Sequence, residues 1–266
     1  MSQSAARTLQ LLEQVARSAA PAGLIELAEQ AGLDKTTCAR LLGLLEDRGW
    51  LLRDRTTKKY EVGPTLVGIS MSAGLPDPLR LHLFPLLHNL REGTGETVSL
   101  QRRFGSLRVC VAGLESREPL RRGLPVGDAL PLTAGPSGKV ILAFTGDGTV
   151  AELTLNLDQT TRARLRKDLD KVRAAGYLSL DGDRTRDVGA IAVPLFARGS
   201  VYGSVTVAGP SSRFSHPDRL TALPSLFIAA RNFTVALGGD STRYDGWIAA
   251  LDAGTVAPAP KRRTSV

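Results

Sequence analysis

Gly32-Leu-Asp-Lys-Thr-Thr-Cys-Ala-Arg-Leu-Leu42, followed closely by Leu51-Leu-Arg-Asp-Arg-Thr-Thr-Lys-Lys-Tyr-Glu-Val62, decides how the amino-terminal part of this chain folds. Gly32 suits the left-handed turn that ends one helix, and Asp34 can cap the next by accepting from its free backbone N–H groups. The helix that opens there carries a polar tip, Lys35, Thr36, Thr37 and Arg40, and an apolar face, Cys38, Leu41, Leu42 and Leu45. The stretch from Leu51 to Val62 reads as a hairpin whose tip concentrates Arg53, Arg55, Lys58 and Lys59. A capped helix with a polar leading end, placed beside a cationic ribbon, is the order of a winged helix-turn-helix. One element enters the major groove and the other lies along the phosphates.

Working outward, residues 5–17 place Leu9, Leu12, Val15 and Ala16 at helical spacing, with Leu11 beside them. Pro21-Ala-Gly23 interrupts the chain, and Leu24, Leu27, Ala28 and Ala31 repeat the helical period up to Gly32. Residues 65–73 predict a short linking helix. The Gly and Pro residues at 74, 76 and 78 mark the best boundary, because they cannot continue it. Beyond lie a helix over 79–91 and a hairpin of alternating strands, 97–104 and 107–112. A Gly/Pro-punctuated loop follows over 113–138, then a short helix through Val140 to Ala143. A charged helix over 161–175, a second hairpin (190–197 and 201–208) and a closing helix over 217–237 complete the pattern. That order predicts an α+β fold: a winged helix-turn-helix followed by a domain with an antiparallel sheet. The divisions are 1–63 for the first domain, 64–77 for the linker helix and boundary, and 78–239 for the second domain. Residues 240–266 are a largely disordered tail with at most one weak turn around Trp247, Ile248 and Leu251.

Composition narrows the function. The formal charge is +8, yet residues 1–75 hold nine Lys/Arg against eight Asp/Glu, so it is the placement of cations at the hairpin, not bulk charge, that points to a polyanion. No apolar run reaches the ~18 residues of a membrane helix, and no signal-peptide core opens the chain. The only cysteines, Cys38 and Cys110, fit a reducing cytoplasm and packed core positions. With three histidines, no Cys/His cluster has metal-ligand spacing, and no cofactor is expected. Gly135-Pro-Ser-Gly-Lys139 has the look of a phosphate loop but fails its spacing: Thr133 stands at the first glycine and Val140 at the magnesium-binding hydroxyl. Ser99, Ser137 and Ser204 have no His/Asp partners to make a hydrolase. An enzyme is not expected.

From residue 5 to residue 237 the sequence resembles the IclR family of bacterial transcriptional regulators. Its recognition-helix pattern stands here as residues 32–42, its L-x-x-x-G-Y/W as Leu45-Glu-Asp-Arg-Gly-Trp50, and its wing end as Tyr60-Glu-Val-Gly63. In the second domain, Gly95-Glu-Thr-Val98, residues 132–139, Ile191-Ala-Val-Pro194 and Val205-Thr-Val-Ala-Gly-Pro210 match the family's GAF-like effector domain in order. Arg102-Arg103, Arg108-Val-Cys-Val111 and Pro125-Val-Gly127 resemble most its NdgR-like branch, associated with amino-acid metabolism. The resemblance implies a cytoplasmic homodimer, or a dimer of dimers, that binds an operator in double-stranded DNA and answers to a small-molecule effector such as an organic or amino acid. It places Gly135, Pro136, Ser137, Ala190, Thr206 and Ala208 at the effector site, with Ala190 where many members have Cys or Ser, and Thr206 and Ala208 where others have serines. Two departures stand out: Asp187 replaces a usual glycine, and the acidic run before it is reduced to Asp181 and Asp183. With fewer donors at these positions, the effector is expected to differ from the family's small oxoacids.

For DNA contact the candidates are Lys35, Thr36, Thr37 and Arg40 at base edges or phosphates, Ala39 at a thymine methyl, and Arg53, Arg55, Lys58 and Lys59 at phosphates. Arg102, Arg103, Arg108, Arg121, Arg122, Arg184 and Arg186 either favour an anionic effector or form a solvated surface. Dimer contacts are expected from Leu9, Leu11 and Leu12 of the first helix and from Leu66, Val67 and Ile69 of the linker helix. The competing reading is a metabolite sensor whose head binds DNA without sequence preference or contacts protein.

Overall fold

Three short helices can bury their apolar stripes only against one another, and that closure makes the head of the molecule. In the computed structural model, which describes residues 3–18, 20–72, 78–123 and 126–253, the chain divides into two units, Met1–Leu75 and Pro76–Val266. The first contains α1 (Gln3–Arg17), α2 (Leu24–Ala31), α3 (Lys35–Asp47), β1 (Leu51–Arg53), β2 (Tyr60–Val62) and α4 (Pro64–Ser72). Its core joins Leu11, Leu12 and Val15 of α1, Leu27 and Ala28 of α2, and Cys38, Leu41, Leu42 and Leu45 of α3 to Leu51 and Tyr60 of the wing. Each such leucine contributes about 1.5–3 kcal/mol by leaving water. Gly32 ends α2 in the left-handed conformation (φ 62°), and Asp34 accepts from Thr37 N–H at 2.9 Å to start α3. These two caps set the turn between the helices.

The dimer expectation needs correction here. Leu11 is 0% and Leu12 is 7% exposed, so both are held in the head's own core and cannot meet a partner. The helical period puts them with Val15 on the inner face and leaves Leu9, at 59% exposure, on the outer one; Ala16 is exposed as well. On α4, Ile69 is 48% exposed, while Leu66 packs against the core.

The second unit begins with α5 (Pro78–Thr94) and the hairpin β3 (Thr97–Phe104) and β4 (Leu107–Leu114). Next come β5 (Ala129–Pro131), α6 (Gly135–Leu142), α7 (Asp147–Thr154), α8 (Gln159–Ala175) and β6 (Leu178–Asp181). The second hairpin, β7 (Val188–Ala197) and β8 (Ser200–Pro210), leads into α9 (His216–Ala236) and α10 (Thr242–Asp252). The six strands form one antiparallel sheet in the order β5-β4-β3-β8-β7-β6, so the two hairpins meet through β3 and β8. Helices α5 and α9 pack together over one face, and α6, backed by α8, covers the other. Alternation across the pleat therefore separates Ala190, Ser204, Thr206 and Ala208, turned towards α6, from Ile191, Val205 and Val207 beneath α9.

Several elements differ from the sequence expectation. The loop expected over 113–138 contains β5 and the first residues of α6, because Pro136 is tolerated in a helix's first turn, where its missing N–H costs nothing. Strand β6 has four residues, and helix α7 has only Val150, Ala151 and Leu153 as apolar side chains, so neither leaves a readable period. The single turn expected after Gly238-Gly239 is α10, an 11-residue helix, so residues 242–252 belong to the folded unit and not to a tail. Its Tyr244 is 0% exposed, with its hydroxyl bonded to Pro194 O and Thr234 Oγ1. The Gly/Pro boundary at 74–77 and the tail over 257–263 lie outside the described residues.

Candidate nucleic-acid interface and ligand cavity

In the head, Lys35, Thr36 and Arg40 are exposed, and Thr37 and Ala39 are half-buried at the start of α3. Asp34, held below the ordinary carboxylate range by the Thr37 N–H and hydroxyl, keeps this first turn in place. The wing is built as tightly. Asp54 Oδ1 accepts from Thr56 N at 2.9 Å, Thr57 N at 2.6 Å and Thr57 Oγ1 at 3.0 Å, and Lys58 takes a left-handed φ of 59° to close the turn. Tyr60 and Ala22 exchange both backbone hydrogen bonds (3.1 and 2.8 Å), fastening the returning strand to the α1–α2 connection. Arg53 lies over the Tyr60 ring at 5.4 Å, and Arg53, Arg55, Lys58 and Lys59 are all exposed. Cations on a rigid ribbon lose little entropy on meeting phosphates.

The second unit holds a cavity of about 80 Å³ between the sheet and the start of α6. All six expected positions, Gly135, Pro136, Ser137, Ala190, Thr206 and Ala208, line it. So do three residues of one strand face, Thr97, Ser99 and Gln101, and the cationic side chains of Arg108, Arg122 and Arg184. Ser137 Oγ is engaged by Ser204 Oγ at 2.8 Å, and Ser99 Oγ accepts from Gln101 Nε2 at 3.2 Å. Gln101 Oε1, Arg108 Nε and Thr206 Oγ1 are buried without a hydrogen-bond partner among the described residues. Buried polar atoms are nearly always paired, so three converging on one cavity mark a place for a polar ligand.

Gln101 and Arg108 are among the cavity residues that the family positions do not include. Arg108 is 4% exposed, and burial pushes its guanidinium down to about 10, which leaves it a cation at neutral pH. In the sequence it is one arginine among many. What sets it apart is a bulge: Leu100 faces Ala112 and Gln101 faces Cys110, so Val111 is extra on β4 and the residues before it are re-aimed. Arg122 and Arg184 line the cavity with it, and the other arginines disperse. Arg102 stacks on Phe104 and Tyr202, Arg103 donates to Gly105 O, and Arg121 pairs with Glu115, while Arg186 is exposed. Lys139 is buried under the cavity between Asp168 (3.1 Å) and Asp183 (2.7 Å). Cys110, 1% exposed, has its thiol pushed up to about 12 by burial, and Cys38 is likewise core. Asp187, at the family's usual glycine, adopts φ 61°, the backbone conformation that the glycine would serve.

A helix-turn-helix head with a wing, followed by a sheet domain with a polar cavity, is the architecture of a ligand-responsive transcriptional regulator. A family model for the IclR helix-turn-helix domain matches residues 4–55, and one for the C-terminal domain of the bacterial transcriptional regulator IclR matches residues 78–234. Transcriptional repressor IclR of Escherichia coli strain K12 is 29% identical over 249 residues, covering 89% of this chain and 90% of that protein. HTH-type transcriptional regulator BhcR of Paracoccus denitrificans is 31% identical over 237 residues, 84% of this chain and 83% of that protein. Among solved structures, an IclR transcriptional regulator from Silicibacter sp. TM1040 aligns with a TM-score of 0.60 at 25% identity, over 89% of this chain and 97% of that one. Thermotoga maritima IclR shares the fold, with a TM-score of 0.58 at 21% identity over 90% and 100% of the two chains. The chain belongs to the IclR family of transcriptional regulators, with a DNA-binding helix-turn-helix domain followed by an effector-binding domain.

Proposed function

We propose that this regulator is a cytoplasmic repressor that binds a near-palindromic operator as a homodimer and is controlled by a small organic or amino acid. Lys35, Thr36, Thr37, Ala39 and Arg40 meet base edges and nearby phosphates in the major groove, while Arg53, Arg55, Lys58 and Lys59 neutralise phosphates through the wing. The observation that carries this reading is the exposed tip of α3 standing on the same rigid core as the cationic wing. Leu9 and Ile69, large apolar side chains left on the outside of the head, pair the protomers. The effector occupies the cavity lined by Gly135, Pro136, Ser137, Ala190, Thr206 and Ala208, and it changes operator affinity by binding the two arrangements of the dimer unequally.

Fluorescence anisotropy with the gene's own upstream region and a scrambled duplex, across a salt series, tests the reading. Specific regulation requires tighter binding to the upstream region at every salt concentration, and equal affinity for both duplexes rejects it. Sedimentation of Leu9→Arg together with Ile69→Arg tests the pairing. A dimer that persists in that variant removes these residues from the interface.

A further inference from the structure

The carbonyl of Ala134 and the N–H of Gly135 belong to one peptide group, and two charged side chains from the cavity wall hold its opposite ends. Arg108 donates from Nη2 to Ala134 O at 3.1 Å, and Asp183 Oδ2 accepts from Gly135 N–H at 2.8 Å. The two charges are not equally provided for. Asp183 receives Lys139 Nζ on its other oxygen at 2.7 Å. Arg108 makes no ion pair among the described residues, Asp128 acting on it only from a longer distance, and its Nε has no hydrogen-bond partner among them. A buried cation with no counter-ion in contact is costly, and a fold that had no use for the charge would gain by losing it.

The geometry of the fork adds a second point. Side-on pairing of a guanidinium with a carboxylate uses Nε–H together with Nη2–H. In Arg108 the first of these has no partner among the described residues, and one N–H of the second is donated to Ala134 O. Nη2 carries two N–H groups, so a carboxylate can take Nε–H together with the second of them while Arg108 still holds the Ala134 carbonyl. The same cavity also reaches Gly135, whose N–H at the start of α6 is taken by Asp183 at a helix terminus that favours an anion.

Resting on the reading of this cavity as the effector site, we propose that Arg108 is the anchor for a ligand carboxylate, and that Asp183 is an internal stand-in which the carboxylate displaces from the Gly135 N–H. Binding thus exchanges the Asp183 contact on the 134–135 peptide and leaves Arg108 on its carbonyl. It also loosens the segment carrying Asp183, whose remaining ties are Arg164 and Lys139, the latter paired in turn with Asp168; both Arg164 and Asp168 belong to α8.

The test uses the full chain and two pairs of probes: pyruvate and benzoate, and their uncharged counterparts pyruvamide and benzamide. Thermal shift and calorimetry are run on wild type, Arg108→Met, Arg108→Lys and Asp183→Asn. Wild type is expected to bind at least one acid at least tenfold more tightly than its amide. Arg108→Met, of similar length but uncharged, is expected to melt higher than wild type without ligand and to lose the acid–amide contrast. Arg108→Lys keeps the charge without the fork and retains a weakened contrast. Asp183→Asn removes the competing charge and binds the acid several-fold more tightly. Equal responses of wild type to acid and amide overturn the proposal, as does an unchanged contrast in Arg108→Met. If operator affinity responds to a ligand while Arg108→Met behaves as wild type, the cavity stays regulatory and Arg108 loses this role.

Discussion

The indole of Trp247 lies against the backbone of Gly176 so closely that a β-carbon at Gly176 would overlap the ring. Gly176 ends α8 at φ 76°, and Trp247 comes from α10, 71 positions later; its ring stacks on Phe227 and meets Phe144 and Tyr244. Helix α10 is thus a structural part of the second unit. Trp247→Ala is expected to lower stability by about 2–3 kcal/mol, and Gly176→Ala by a similar amount through strain and overlap. Urea unfolding with hydrogen exchange on the second unit measures this. A chain ending at Gly239 that unfolds at the wild-type urea concentration would show that the clasp contributes nothing.

Arg40→Ala and Thr37→Ala are each expected to weaken operator binding by about 1–3 kcal/mol if they read base edges, while leaving the melting temperature near that of wild type. Thr37→Ala retains the backbone N–H that Asp34 caps and loses only the lesser contribution of the hydroxyl. Competition against duplexes altered one base pair at a time assigns the position that each side chain reads. Retained affinity in the double variant would move the reading surface away from α3.

The wing cations act through charge, so their removal should show in salt dependence more than in sequence preference. Lys58→Asn keeps a residue that accepts the φ of 59°, separating charge from backbone strain. Combined with Lys59→Ala, it is expected to reduce the slope of log K against log salt by about 0.9 for each phosphate no longer neutralised. A slope equal to that of wild type means that these lysines remain in solvent.

Asp187 keeps a left-handed backbone that costs an L-residue about 1–2 kcal/mol, although aspartate bears it better than most. Asp187→Gly is expected to hold or raise stability by up to about 1 kcal/mol, and Asp187→Val to lower it by at least that amount. A Val variant as stable as wild type would mean that the turn relaxes freely.

The ion pair of Asp181 with Arg219 holds the Asp181 carboxyl below its ordinary range. A depressed folded-state value means that the stabilisation is present above the unfolded value near 3.8 and is lost as pH falls through the folded one. Asp181→Asn is therefore expected to flatten the acid limb of the second unit's stability below about pH 4 and to leave the rest of the profile parallel to wild type. Stability profiles from pH 2 to pH 7 that coincide in shape would assign the acid limb to other carboxylates.

What the linear chain decided by itself is whatever depends on local spacing. Cys38, Leu41, Leu42 and Leu45 make one face of one helix in any context; Gly32 and Asp34 place its start; and the cations of residues 53–59 can gather only at a hairpin tip. The same is true of the long hairpins at β3–β4 and β7–β8. The outer face of α1 is ambiguous along the chain because Leu9 and Leu12 share a plausible stripe, and only packing against α2 and α3 shows that Leu11 and Leu12 are the ones enclosed. Helix α10 leaves little local signal because its cohesion comes from rings on α9, β7 and the residues just after α6, none of them near it in sequence. Arg108 belongs to the same class. As one arginine among several on a basic strand it carries no local mark, and its standing follows from a bulge on β4, the depth of the cavity and the distant Ala134 carbonyl. Periodicity and capping are properties of neighbours along the chain. Burial, and the cost of a charge left without a partner, are properties of what folding brings together.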